Sequence, residues 1–237
     1  MMSGTLKSSL STIVYKTEHL LQSNLDDFLS SWDAAYKTQI KDIDLFNPSI
    51  AAQYTTEQMQ YFVKIFYHAR GHFKDFLWHL GNHAPNNRFK QIILKNIEEE
   101  FNNDCLSHEQ MYLNFAKKMK VDLTDVILKE DFYLPEIRAF NNGHVQWMYK
   151  QPWPVQFATF SAYERLDTTD YEALTALFPE DHVFFRIHRE AEHFDKTYQE
   201  LVAIWDEDPG HVHIAFDYIA KTQTRMWKDM ANAMSQA

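Results

Sequence analysis

The chain has 237 residues, of which 45% are hydrophobic and 24% charged, proportions of a globular protein. Only 5 Gly and 7 Pro argue against a turn-rich β-sandwich or barrel and against disorder, while 18 Phe, 12 Tyr and 6 Trp can fill a large core. A net charge of −10 disfavours a nucleic-acid binder, which needs a basic stripe against phosphates, and disfavours an anionic membrane surface. No window approaches 18 apolar residues, so no membrane span is expected. The single cysteine, Cys105, leaves no internal disulfide framework and no Cys-rich zinc or iron–sulfur site. The N-terminal run lacks an uninterrupted apolar stretch, and a reducing cytoplasm is the expected compartment.

Apolar residues recur at spacings of three and four along the chain, the helical period. The pattern predicts a first helix over residues 8–40, with a break near Asn24. The segment around Asn47-Pro48 reads as a loop. Thr55 is the expected N-cap of a long helix that ends near Gly81-Asn82. The next helix starts near Arg88, frays at Asn102-Asn103-Asp104 and resumes from His108 to Met119. Further helices are predicted over 123–129, 134–149, 155–165, 169–177, 181–205 and 211–233, with Pro152, Pro154, Pro179 and Pro209 among the breaks. No alternating strand, internal repeat or linker is found. The expectation is one all-α domain spanning residues 1–237, a helical bundle with one core.

Three constellations could carry chemistry. In the first, His188, Glu192 and Asp195 stand at i, i+4 and i+7, the latter two at about +40° and −20° from His188 around a helix. Phe184, Phe185, Ile187, Ala191 and Phe194 surround that face, which points it inward rather than toward solvent. In the second, the acidic run Glu98-Glu99-Glu100 precedes His108. Eight residues of straight helix would hold Glu100 and His108 about 80° apart, so the break at Asn102-Asn103 is needed to bring them together. In the third, Glu164 shares a helix face with Phe157 and Phe160. A carboxylate on an apolar face is costly unless it is paired or bound to a cation. Each segment read alone is also compatible with a solvated face or a helix end reaching water. Together they match how helical proteins build dimetal sites, from carboxylates and imidazoles on facing helices.

The order and flanks of these residues resemble the haem-oxygenase-like fold, and within it the diiron oxidase branch related to the TenA thiaminases and to pyrroloquinoline-quinone synthase (the PqqC-like proteins). The resemblance runs from about Thr56 to Trp227. That branch orders its ligands as Glu, His, Glu and then His-x3-Asp/Glu-x2-His. Asn96-Ile97-Glu98-Glu99-Glu100 is similar to its Asn-x-x-Glu-Glu stretch, His108 to the following ligand, and Tyr163-Glu164 to its Tyr-Glu pair. Phe184-Phe185-Arg186-Ile187-His188 resembles its Phe-Phe-x-x-His, and Glu192 falls on the acidic position. The resemblance implies metal ligands Glu100, His108, Glu164, His188, Glu192 and Asp195. It implies two iron ions, with manganese an alternative, and O2 as co-substrate for oxidation of a small organic molecule. It leaves Glu99 and Glu100 as alternatives, since a one-residue slip in register exchanges them. Asp195 stands where the family has His, which gives a harder, more manganese-tolerant site. Related proteins often form homodimers.

Neighbouring activities leave other expectations. A thiaminase needs a catalytic cysteine, and Cys105 matches no such position. A metal-free, quinone-synthase-like oxidase would draw on His68, Arg70, His72 and Tyr163. A haem protein would need a proximal His, and nothing around His19 supports one. A non-catalytic binding protein with a degenerate metal site is the third possibility. No Gly-rich phosphate loop and no Gly-x-Ser-x-Gly are present.

Overall fold

The computed structural model describes residues 24–101, 106–190 and 193–237, with the backbone alone at 193. Among them stand twelve α-helices: α1 Leu25–Ile40, α2 Pro48–Ala51, α3 Thr56–Gly71, α4 Phe73–His83, α5 Asn87–Phe101, α6 His108–Lys118, α7 Thr124–Lys129, α8 Pro135–Met148, α9 Trp153–Ala173, α10 Val183–Glu190, α11 His193–Glu207 and α12 Pro209–Ser235. Short 3-10 turns occupy Asp44–Phe46 and Leu174–Ala176, and no strand occurs among the described residues. The first part of the expected 8–40 helix, the fray at Asn102-Asn103-Asp104, Cys105 and His19 lie outside them.

Local chemistry sets the helix ends. Thr55 caps α3 as expected, in a capping box with Gln58: each side chain receives the other residue's backbone N–H, at 3.2 and 3.0 Å. Ser107 and Gln110 repeat the device at the start of α6. Asn47 accepts the Ser49 N–H and Pro48 occupies the first turn, so the expected loop at this point is instead the one-turn helix α2. The long helix expected from Thr55 divides at His72, whose buried Nδ1 donates to the Ala69 carbonyl at 2.7 Å.

The central element is α9, in which every residue from 155 to 164 is buried. A helix apolar on all sides belongs in the middle of a bundle, and α10, α11 and α12 pack around it. Two helices were expected here, over 155–165 and 169–177, but one runs through. The polar Asp167-Thr168-Thr169-Asp170 stretch stays helical because the bundle grips it. Asp170 accepts the Tyr36 hydroxyl at 2.7 Å, Gln223 Nε2 at 2.9 Å and the Trp227 indole at 3.0 Å, which ties α9 to α1 and α12. Arg165 holds Asp33 of α1 with two parallel bonds at 2.9 and 2.6 Å. One connected hydrophobic core extends from Leu25 to Met234. Among the described residues no helix is long and apolar enough to cross a membrane.

Candidate metal centre

Helices α5, α6, α9 and α10 bring the middle of the expected ligand set together. Glu100 ends α5 and His108 begins α6, and His108 Nδ1 lies 3.0 Å from a Glu100 carboxylate oxygen. The sequence left Glu99 and Glu100 open, and the structure separates them. Glu100 meets His108, while Glu99 forms an ion pair with Lys196 of α11. The rings of His108 and His188 stand 4.8 Å apart. His188 is enclosed by Tyr171, stacked on it at 4.3 Å, and by Phe184 at 4.6 Å.

The tautomers follow from the partners. His188 Nδ1 sits 2.7 Å from the Phe184 carbonyl, which can only accept, so Nδ1 carries the proton and Nε2 keeps its lone pair. Burial, and then the neighbouring His108, push the His188 imidazole down to about 3, so it is neutral near pH 7. At Glu100, burial raises the carboxyl, but the His108 hydrogen bond, helped by the Arg70 charge, outweighs it and holds the group below its ordinary range. Ionised Glu100 therefore accepts from His108 Nδ1, and His108 also presents Nε2.

Glu164 is the most unusual member. It is 4% exposed, and its Oε1 has no hydrogen-bond partner. Burial pushes its carboxyl well above the ordinary range, and Asp167, Glu100 and Glu99 push it further, against a weaker pull from Lys196. Asp167, half-buried on the same helix, is raised well above its ordinary range by burial and by Asp170 and Glu100. Carboxylates thus outnumber cations here. Arg70 is engaged by Glu109 and lies over the Tyr112 ring at 4.5 Å. Beside the cluster opens a cleft of about 240 Å³, lined by Arg70, Phe73, Lys74, Trp78, Glu100 and Ser107 among others.

Of the remaining two expected ligands, one is undescribed and the other faces away. Glu192 lies outside the described residues. Asp195 is a correction: it is exposed, on the solvent stripe of α11 with Gln199, Ala203 and Asp206. The buried stripe of that helix is Thr197, Glu200, Leu201, Ile204 and Trp205, nearly opposite. Phase carried forward from His188 pointed Asp195 inward, but the apolar period within α11 turns it out. Among the described residues no three His, Cys, Asp or Glu side chains already surround one point as ligands. Glu100 and His108 are occupied with each other.

Asp167 escaped the sequence reading, because it fell between two expected helices. The signal for it was present as Glu164-x-x-Asp167, two carboxylates on one face of a helix. Of the residues expected for a metal-free pocket, Arg70 lines the cleft and His72 lies 5.6 Å from Tyr163 and 5.3 Å from His144. His68 instead bonds the Asp131 carbonyl and stacks on Tyr133.

The donor types suit iron: hard carboxylate oxygens, one of them orphaned in the interior, beside the imidazoles of His108 and His188. No curated protein matches the chain. The sequence model of one family does match, over residues 60–237, and that stretch contains every residue of the cluster. The all-helical architecture is that of the haem-oxygenase-like proteins, and the chain belongs to the family of iron-containing redox enzymes.

Proposed function

We propose that this protein is a non-haem oxidase or oxygenase that holds two iron ions among α5, α6, α9 and α10 and uses O2 to oxidise a small organic substrate. The observation that carries this reading is Glu164, a carboxylate buried in the bundle with an unpartnered oxygen and more negative than positive neighbours. Such a group is costly in an apo fold and becomes favourable once a cation is bound. Iron, when bound, supplies the binding and reduction of oxygen.

The protein's own groups have definable tasks. His108 and His188 offer Nε2 while their Nδ1 protons are held by Glu100 and the Phe184 carbonyl, which fixes both ring orientations. Glu100 holds His108 through Oε1 alone, so its second oxygen would be the one available to a metal. Tyr171 and Phe184 exclude water from the His188 side. The cleft, at about 240 Å³, lies below the roughly 300–1,000 Å³ of drug-sized ligand sites and suits a small substrate. Phe73 and Trp78 give it apolar walls, and its charged lining combines the cations Lys74 and Arg70 with the carboxylates Glu100 and Glu109.

The test is anaerobic loading with ferrous iron, metal analysis after desalting, and oxygen uptake on exposure to air. About two irons per chain and rapid oxygen uptake are expected for the wild type, and neither for His188→Ala. A second reading, a metal-free oxidase, is favoured by one observation: the Arg70 guanidinium already acts electrostatically on Glu100 and His188. Substrate-dependent oxygen uptake by metal-free protein would select it.

A further inference from the structure

Two facing stripes build the cleft beside the cluster. His72 keeps right-handed helical angles between α3 and α4, and its carbonyl accepts the Phe76 N–H at 3.1 Å. Arg70, Phe73, Lys74, Leu77 and Trp78 therefore stay on one side across the junction, at helical spacings of three and four. Helix α5 faces them with Ile97, Glu100 and Phe101, at i, i+3 and i+4. Glu100 belongs both to this wall and to the cluster. Trp78 and Phe101 are 53% and 67% exposed, so large aromatic surfaces stand in water at this cleft. Apolar area gathered on a concave surface is a mark of ligand binding.

The four charged groups of the lining are not equivalent. Glu109 has both oxygens engaged, one by the Tyr67 hydroxyl at 2.9 Å and the other by Arg70. Arg70 is neutralised by that pair and packs over the Tyr112 ring at 4.5 Å. Glu100 is held by His108 at 3.0 Å. Lys74 makes no hydrogen bond and no ion pair with any described residue. The cleft thus offers an incoming molecule one uncommitted charge, and that charge is positive. Because Lys74 is exposed, a headgroup bound to it keeps part of its water while an apolar body enters against Phe73, Leu77 and Ile97. One free ammonium matches one negative charge. The volume of about 240 Å³ equals roughly eight waters at about 30 Å³ each, which limits the body to about eight to ten non-hydrogen atoms.

We propose that the substrate class of this cleft is an amphipathic monocarboxylate, its carboxylate held by Lys74 and its apolar body lying against Phe73, Leu77, Trp78, Ile97 and Phe101. Lys74 is then the residue that selects an anionic molecule over a neutral or cationic one of the same shape. That this ligand is the substrate rests on the oxidase reading above, whereas its binding does not need iron.

The experiment is isothermal titration calorimetry on the metal-free full-length chain, at low salt and near neutral pH with a chelator present. The probes are phenylpropanoate, the alcohol of the same skeleton and the amine of the same skeleton. Wild type is compared with Lys74→Met, which keeps the stem and removes the charge, with Lys74→Arg, and with Lys95→Met, an exposed lysine of α5 outside the cleft. Circular dichroism verifies that each variant is folded. The wild type is expected to bind the carboxylate about tenfold tighter than the alcohol, and the amine most weakly. Lys74→Met should erase the difference between carboxylate and alcohol, Lys74→Arg should keep it, and Lys95→Met should match wild type. Equal binding of carboxylate and alcohol by wild type overturns the proposal, as does the absence of binding by any probe. A preference that survives in Lys74→Met, or that Lys95→Met loses to the same extent, also overturns it, because the selectivity would then come from the general field of the surface. If the carboxylate preference holds but ferrous iron does not load, the oxidase reading falls and the anion site stands. If iron loads and oxygen is consumed without any carboxylate preference, this inference alone falls.

Discussion

Replacing Glu164 by Gln should stabilise the metal-free protein while weakening its hold on iron. The substitution keeps the shape of the side chain and removes the charge. In the wild type, Oε1 is buried without a partner and Asp167, Glu100 and Glu99 repel the carboxylate. An unsatisfied buried polar group costs about 1–3 kcal/mol, and more when charged. Gln keeps a polar oxygen there but removes the repelled charge, which should raise stability by about 1–3 kcal/mol, or roughly 2–12 °C in Tm for a chain of this size. The pH dependence has a definite sign. The folded-state carboxyl is raised above its ordinary value, so its penalty is absent below about pH 4.5 and grows as pH rises toward the folded value. The advantage of Glu164→Gln should therefore be larger at pH 8 than at pH 5. Urea unfolding in the presence of a chelator, followed by circular dichroism at both pH values, measures it. A variant less stable than wild type by more than 1 kcal/mol at both pH values would refute the reasoning, since Glu164 would then be a structural acceptor.

Two further outcomes follow from the buried polar groups. Asp170→Ala should cost about 3–6 kcal/mol in urea unfolding, because Tyr36, Gln223 and Trp227 all lose their acceptor, whereas Asp170→Asn keeps one oxygen and should cost about 1–2 kcal/mol. Burial holds His72 at about 3 and His144 at about 4, as it does His188 at about 3, so these groups contribute stability near pH 7 that is lost as pH falls below about 6.5. His144→Phe should reduce that acid-limb slope by about one proton, or about 1.4 kcal/mol per pH unit, in chemical unfolding between pH 6 and 4.5, and an unchanged slope would contradict the neutral burial of this ring.

The helical architecture was legible because its signals are local. The apolar period, the Thr55 cap and the proline breaks act within a turn or two, and the helices opening at Thr56, His108 and Pro135 start close to where these signals place them. The inward placement of Glu100, His108, Glu164 and His188 was legible for a different reason: each is a charge or imidazole beside residues that must be buried. What failed was phase carried over distance. Asp195 was assigned by counting seven residues from His188, although Thr197, Leu201, Ile204 and Trp205 already mark the inward side of its helix. Asp167 failed through local composition. Asp167-Thr168-Thr169-Asp170 has the character of a helix end, and only the long-range partners of Asp170 keep it inside α9. Those partners lie 134 and 57 residues away in the chain, beyond the reach of periodicity.

The central claim is that the carboxylate and imidazole cluster exists to hold iron, and linkage between metal and folding tests it most directly. Ligands on separate helices come together only in the folded state, so ferrous iron at about 100 times its dissociation constant should stabilise the chain by about 2.7 kcal/mol. The measurement is anaerobic unfolding of wild type and His188→Ala with and without ferrous iron. The account predicts that the stabilisation appears in wild type and disappears in His188→Ala, with the metal-free variant still folded. Equal stabilisation of the two proteins, or none in either, would contradict it.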